Sequence, residues 1–257
     1  MRHHLRSRRT AIAAVCLATA ATVGLTACGT ETKKDGATAA KPKEPFAGMS
    51  GGDIAEKAIK ATTGAASLRI KGEVADDSSG PLRMDLALDT KGTCTGTMGT
   101  AKEGSIELII PGDVAYMKYD EKFLRAQSKG EPAADVQASI DMMADRWLKT
   151  KVTSTDAKEI AGFCDLDALL SEFKDTGSTA RRGGTTTVDG TPAIKLTEND
   201  GGDKYTIYVA TKGKPYLLKV DKATTGKPEG LVFTDYDKPV KATAPTGDVL
   251  DLDKLGG

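Results

Sequence analysis

From Ser67 to Asp89 apolar and polar side chains take turns along the chain. Leu68, Ile70 and Val74 alternate with Arg69, Lys71 and Glu73, and Leu82, Met84, Leu86 and Leu88 with Arg83, Asp85 and Asp89. A period of two puts every apolar side chain on one face and leaves the other wet, as in antiparallel strands with one solvated side. Asp76-Asp77-Ser78-Ser79-Gly80-Pro81 reads as the turn between the two runs. Continuing the register places Cys94 on the apolar face. Ser105 to Ile110 is a further strand stopped by Pro111-Gly112-Asp113, Val114 to Tyr119 returns beside it, and Phe123-Leu124-Arg125-Ala126 extends the meander. Strands resume with Gly183 to Val188 and Ala193 to Leu196 around the hairpin signal Asp189-Gly190. Tyr205 to Ala210, Tyr216 to Val220, Gly230 to Thr234 and Val240 to Ala244 follow, about nine to eleven strands in all. Gly183-Gly184 and Gly201-Gly202 read as hairpin turns, since no helix follows to make them phosphate loops.

Helical periodicity is confined to three places. Ser50 with Asp53 three residues on fits a helix start, Ile54, Ala58 and Ala61 share a face, and Gly64 ends the run. Val136, Ile140, Met143 and Trp147 recur at helical spacing between Ala133 and Leu148. A shorter helix is expected from Asp165 to Lys174, just after Cys164. Strands in hairpin order with helices segregated exclude a βαβ fold and point to an α+β, mostly antiparallel β domain.

The N-terminus sets the compartment. Arg2, Arg6, Arg8 and Arg9 precede a stretch from Ala11 to Ala27 without a charge, ending in small residues, the pattern of a secretory signal peptide. Leu25-Thr26-Ala27-Cys28 resembles the bacterial lipobox. That resemblance implies cleavage after Ala27 and a diacylglycerol, with palmitate-class chains, on the Cys28 thiol. Two chains give stable anchoring where one is marginal. Arg8-Arg9 also partly resembles a twin-arginine export signal, so the Sec and twin-arginine routes both stay open. Residues 28–48 read as the lipidated end and a flexible tether rich in Lys, Thr, Ala, Gly and Pro, and residues 49–257 as one domain.

Both histidines, His3 and His4, lie in the signal segment. The exported chain therefore has none of the imidazoles that Ser-His-Asp, Cys-His or histidine–zinc chemistry requires. Removal of residues 1–27 takes away four of the 36 Lys and Arg and no Asp or Glu, leaving a net charge of about −4, which does not suggest a nucleic-acid binder. With Cys16 in the signal and Cys28 acylated, Cys94 and Cys164 remain. In an exported chain they read as a disulfide, and they lack the C-x-x-C spacing of a redox pair. Ser171-Glu172-Phe173-Lys174 matches S-x-x-K but lacks its companion S-D-N and K-T-G motifs. Asp165 with Asp167, Asp235 with Asp237 and Asp251 with Asp253 are D-x-D pairs without a calcium loop around them, and read as solvated turns. No metal, cofactor or catalytic set is expected, and the chain is not expected to be an enzyme.

Several stretches together resemble the LppX/LprG-type lipoproteins of actinobacteria, relatives of the lipoprotein carrier LolA. They are Ser67-Leu68-Arg69-Ile70-Lys71-Gly72-Glu73-Val74 after a helix, Ile110-Pro111-Gly112-Asp113-Val114-Ala115-Tyr116-Met117-Lys118, Val188-Asp189-Gly190-Thr191-Pro192-Ala193-Ile194-Lys195-Leu196, Gly213-Lys214-Pro215-Tyr216-Leu217-Leu218, and Phe233-Thr234-Asp235-Tyr236-Asp237-Lys238-Pro239-Val240. The resemblance implies a strongly curved, half-open β-barrel closed by helices, with an apolar cavity for acyl chains. Met84, Leu86, Leu88, Ile106, Leu108, Ile110, Met142 and Met143 are the cavity candidates, and equally candidates for an ordinary packed core. The expected function is that of a lipoprotein anchored on the outer face of the cytoplasmic membrane that binds or carries a lipid. The alternative is a tethered protein-interaction or envelope-sensing module with a protein partner.

Overall fold

The computed structural model describes residues 44–75, 80–171, 179–224 and 227–255. The signal segment, Cys28, the tether up to Lys43, the Asp76–Ser79 part of the first turn and Glu172–Lys174 lie outside the described residues. Among these residues twelve strands form a single sheet. β1 (Ser67–Val74), β2 (Leu82–Asp89), β3 (Cys94–Thr100), β4 (Gly104–Ile110) and β5 (Val114–Tyr119) are a meander, with β6 (Trp147–Lys151) beside β5. β7 (Arg181–Val188), β8 (Thr191–Asp200), β9 (Asp203–Ala210), β10 (Leu217–Thr224) and β11 (Lys227–Thr234) are a second meander. The two join where β1 pairs antiparallel with β11, Ile70 opposite Phe233. The one parallel pair is β12 (Val249–Asp251) on β6. The strand order runs from β12 to β7 without a closing pair, so the sheet is an open barrel.

Among the described residues five α-helices accompany the sheet. α1 (Gly51–Thr63) precedes β1, α2 (Glu121–Gln127) and α3 (Ala133–Met143) lie between β5 and β6, and α4 (Thr155–Gly162) and α5 (Leu166–Ser171) between β6 and β7. α1 starts as its sequence predicts. The Ser50 hydroxyl accepts from the Asp53 N–H at 3.1 Å while the Asp53 carboxylate accepts from the Ser50 N–H. Ile54, Ala55 and Ala58 of α1, Ala157 of α4, and Leu166 and Leu170 of α5 share one core with the inner face of the sheet.

Five local expectations differ from the structure. α4 forms where no helix is expected, started by the Ser154 hydroxyl accepting from the Ala157 N–H. Phe123–Ala126 is helical, because the Asp120 carboxylate caps α2 through the Phe123 N–H at 2.7 Å. The helix from Ala133 stops at Met143. Ala144 is extended and Asp145 takes φ +55°, which turns Trp147 and Leu148 into β6. Gly183-Gly184 lies within β7, where the pairing with β8 slips between Arg182 and Thr185. β7 is a sheet edge, and a bulge there spoils the template it offers to another strand. No strand forms over Val240–Ala244; the chain runs on to β12 instead. The Asp189-Gly190 turn holds, with φ of +46° and +80° as a two-residue type I′ hairpin needs.

The D-x-D acids are structural. The Asp165 carboxylate caps α5 through the Ala168 N–H, Asp251 pairs with Lys149 at 3.0 Å, and Asp253 accepts from the Thr150 hydroxyl. Asp237 locks the start of β1 to the end of β11. It accepts from the Ala66 N–H, the Lys214 ammonium and the Tyr216 hydroxyl at 2.6–2.9 Å, beneath a Tyr216–Tyr236 stack with centroids 3.9 Å apart. The Tyr216 hydroxyl bond first, then Lys214 and the Ala66 N–H, hold the Asp237 carboxyl well below the usual carboxylate range. A depressed folded-state value stabilises the domain above the ordinary aspartate value of about 3.9 and ceases to do so as pH falls through the folded value. Urea midpoints should therefore decline as pH is lowered below about 4, and Asp237→Asn should flatten that decline. An unchanged acid slope in the variant would remove Asp237 from this role.

Candidate functional site

The inner face of the sheet is a gradient of burial. At one end of the strands Leu68, Leu88, Leu108 and Ile110 are at most 2% exposed, beneath α1, α4 and α5. At the other end cover is uneven: Leu196, Ile207, Met98 and Ile106 are buried, and the inward side chains between them are only partly covered. Met84, Leu231 and Val220 are half-buried, and Val74, opposite half-buried Leu82, is 37% exposed. These residues belong to neighbouring strands: Met84 pairs with Gly72, Gly72 with Leu231, and Leu231 with Val220. They form an apolar mouth across β2, β1, β11 and β10. Each strand leads from it into the sealed core, Leu231 to Phe233 and Met84 to Leu86.

Glycine shapes this face. Gly72 lies between Met84 and Leu231, and Gly96 between Leu86 and Leu108. A Cβ on Gly72 would lie 1.9 Å from the Gly230 carbonyl oxygen, and one on Gly96 2.0 Å from that of Asp85. Their φ angles, +154° and +150°, are ones an L side chain rarely adopts. Glycine within a strand marks a tight bend or a close backbone approach. Here the approach lets the sheet curl and leaves a shallow floor in the apolar mouth row.

Among the cavity candidates, Leu86, Leu88, Ile106, Leu108 and Ile110 come together in the sealed core, with Met84 packed against them at the mouth. Met142 and Met143, at the end of α3, lie outside that cluster, Met142 43% exposed. A cleft of about 690 Å³ at the mouth end is lined by Met84 and Met98 together with the wet-face ion pairs Lys71–Asp85 and Arg83–Glu73 and with Asp120 and Lys122. Another of about 430 Å³, at the sealed end, reaches Ile110 and Cys164. Val74, Leu82, Val220 and Leu231 are mouth residues that strand alternation marks as inward but does not mark as uncovered.

Two attachments fix the helical cover. Cys94 at the start of β3 is bonded to Cys164, between α4 and α5, with Cα atoms 5.6 Å apart, so the α4–α5 junction is stapled to the sealed end. At the mouth end the Arg182 guanidinium donates to the Phe46 and Pro45 carbonyls, each at 2.6 Å, and to the Glu44 carboxylate at 2.8 Å. Gly51, the first residue of α1, lies so close to β7 that a Cβ there would meet the Ala180 carbonyl at 2.3 Å.

The Ser171 hydroxyl donates to the Ala168 carbonyl at 2.6 Å, within its own helix. Among the described residues no group of three or more His, Cys, Asp and Glu is placed to hold a metal ion, and no helix is long and apolar enough to cross a membrane.

An open, curled antiparallel sheet with helices laid over its inner face is also the architecture of LprF from Mycobacterium bovis. LprF is 14% identical, with a TM-score of 0.51 over 77% of this chain and 97% of its own. The chain has the LprF fold. The Mycobacterium tuberculosis lipoprotein LppX is 16% identical, covering 74% of this chain and 97% of its own, at a TM-score of 0.45. A LolA superfamily protein from Nitrosomonas europaea is 11% identical over 75% of this chain and 95% of its own, at 0.24. The fold assignment rests on LprF. No protein-family model matches the chain, and no curated protein does. The half-open, helix-covered barrel implied by the sequence resemblance is thus the architecture found.

Proposed function

We propose that the chain is an exported, membrane-tethered protein that holds an acyl chain or similar apolar ligand between the curled sheet and its helical cover, without catalysis. The observation that carries this reading is the half-exposed row Met84, Gly72, Leu231 and Val220, continuous with the buried inner face. The lipobox-like Leu25–Cys28 and the LprF fold support the same reading. Burial would be the whole mechanism. About ten methylenes taken from water give ~8 kcal/mol, the scale of micromolar binding before ordering costs are subtracted. The ligand's head would stay in the solvent at the mouth.

The test is native mass spectrometry of residues 29–257, secreted unlipidated from a related host, followed by titration with a fluorescent fatty acid. A stoichiometric extra mass that extracts as an acylated lipid is expected, and Leu231→Glu should weaken fatty-acid uptake by about tenfold or more, since a carboxylate would sit in the apolar row. A bare chain that takes up no fatty acid would end the carrier reading. The sealed packing of Leu86, Leu88 and Leu108 favours one second reading, a tethered interaction module whose mouth patch receives an apolar segment of an envelope protein.

A further inference from the structure

We propose that the apolar mouth abuts the bilayer that holds the chain's own anchor, with the sealed, disulfide-stapled end pointing away from it. This rests on the tethered-carrier reading and names the surface that its mouth meets.

The placement follows from one cross-strand row. Arg182 pairs with Leu196, Leu196 with Ile207, Ile207 with Val220, Val220 with Leu231, Leu231 with Gly72 and Gly72 with Met84. The residue that clamps Glu44, Pro45 and Phe46 therefore stands at the same level along the strands as the mouth, separated from it by the buried Leu196 and Ile207. Phe46 itself packs against the core. The segment arriving from the N-terminus is thus fixed to the domain at the open end of the strands.

Length does the rest. Residues 29–43 separate Cys28 from the clamped turn. Fifteen residues of random coil span about 20 Å on average. Along β1 the sealed end lies four residues beyond Gly72, at Leu68, a further 13 Å or so. Turning the sealed end to the bilayer would spend most of the typical span on running back along the domain. Turning the mouth to it leaves the tether slack and lets Val74, the most exposed apolar side chain there, touch the surface.

The experiment uses the mature, lipidated chain in vesicles of phosphatidylethanolamine and phosphatidylglycerol with brominated acyl chains. Trp147 is the sole tryptophan and is replaced by Phe. A single reporter is then placed at the mouth, Val74→Trp, or in the sealed-end turn, Lys91→Trp. Both positions are exposed, so both variants should fold. The same variants without the lipid anchor, incubated with the vesicles and re-isolated, give the quenching due to a carried bromolipid alone. Anchored Val74→Trp should exceed that baseline by about twofold or more, the response of a side chain at the acyl boundary, while Lys91→Trp stays at its baseline. Adding Arg182→Ala should erase the difference by freeing the exit point. Equal excess at both reporters, a larger excess at Lys91→Trp, or no excess at either overturns the orientation. Loss of the re-isolated baseline alone counts against the carrier reading and leaves the orientation standing.

Discussion

Replacing Cys94 and Cys164 together by alanine is expected to lower the free energy of unfolding by ~4 kcal/mol, the chain-entropy value for a bridge closing a loop of about 70 residues. The separation in sequence is 70 residues, and both half-cystines are buried, at 0% and 2% exposure. Alanine is the better replacement, because a serine hydroxyl would add the cost of an unpaired buried donor. The bond joins β3 to the α4–α5 junction, so its loss should loosen the cover before the sheet. Urea unfolding of the pair variant beside the parent would measure the first effect, and amide exchange along α4 and α5 the second. A loss below about 1 kcal/mol would mean that packing alone holds the cover in place.

The second large effect is expected at Gly96. Gly96→Ala forces a φ of +150° on an L residue and drives a methyl to within 2.0 Å of the Asp85 carbonyl oxygen. The backbone term is worth about 1–3 kcal/mol and the forced parting of β2 and β3 a similar amount, so a loss of about 3–5 kcal/mol is expected. Gly112 is the control. No atom lies within 4 Å of a Cβ built there, and its φ is not in the left-handed region. Gly112→Ala should shift stability by no more than about 0.5 kcal/mol. Equal midpoints for the two variants in urea would refute the curl that Gly96 is said to permit.

Much of this architecture is legible in the residues, and the exceptions share a cause. β1, β2 and β5 begin and end where alternation begins and ends, and α1 where its capping box and Gly64 place it. In each, local pattern and tertiary environment agree. Phe123–Ala126 misleads because four residues after a strand look like more strand, while the decisive atom is the Asp120 carboxylate three residues earlier. Trp147 falls on the apolar stripe of the preceding helix, yet its fate is set by a left-handed Asp145, a conformation composition does not announce. The candidate site shows the same division. Alternation identifies Met84, Leu86 and Leu88 as inward-facing. Which end of that face stays uncovered depends on where α1, α4 and α5 run, and that is fixed by Cys94–Cys164, Arg182 and the close approach at Gly51. These are contacts between residues tens of positions apart, which no local window contains.

The seam between the two meanders has a temporal meaning. β1 has β2 as one neighbour almost at once, but its other neighbour is β11, so Ile70 waits for Phe233. Every other antiparallel junction except β5–β6 joins strands that follow each other directly in the chain. A chain threaded through a membrane N-terminus first would present β1 to β5 outside as a nascent sheet with a bare, apolar-faced edge long before residues 227–234 emerged. Loop closure over so many residues is slow, and an exposed edge invites wrong partners meanwhile. A chain carried across already folded would have closed that seam beforehand. The export route would then decide whether this protein's most vulnerable interval is spent inside the cell or in its envelope.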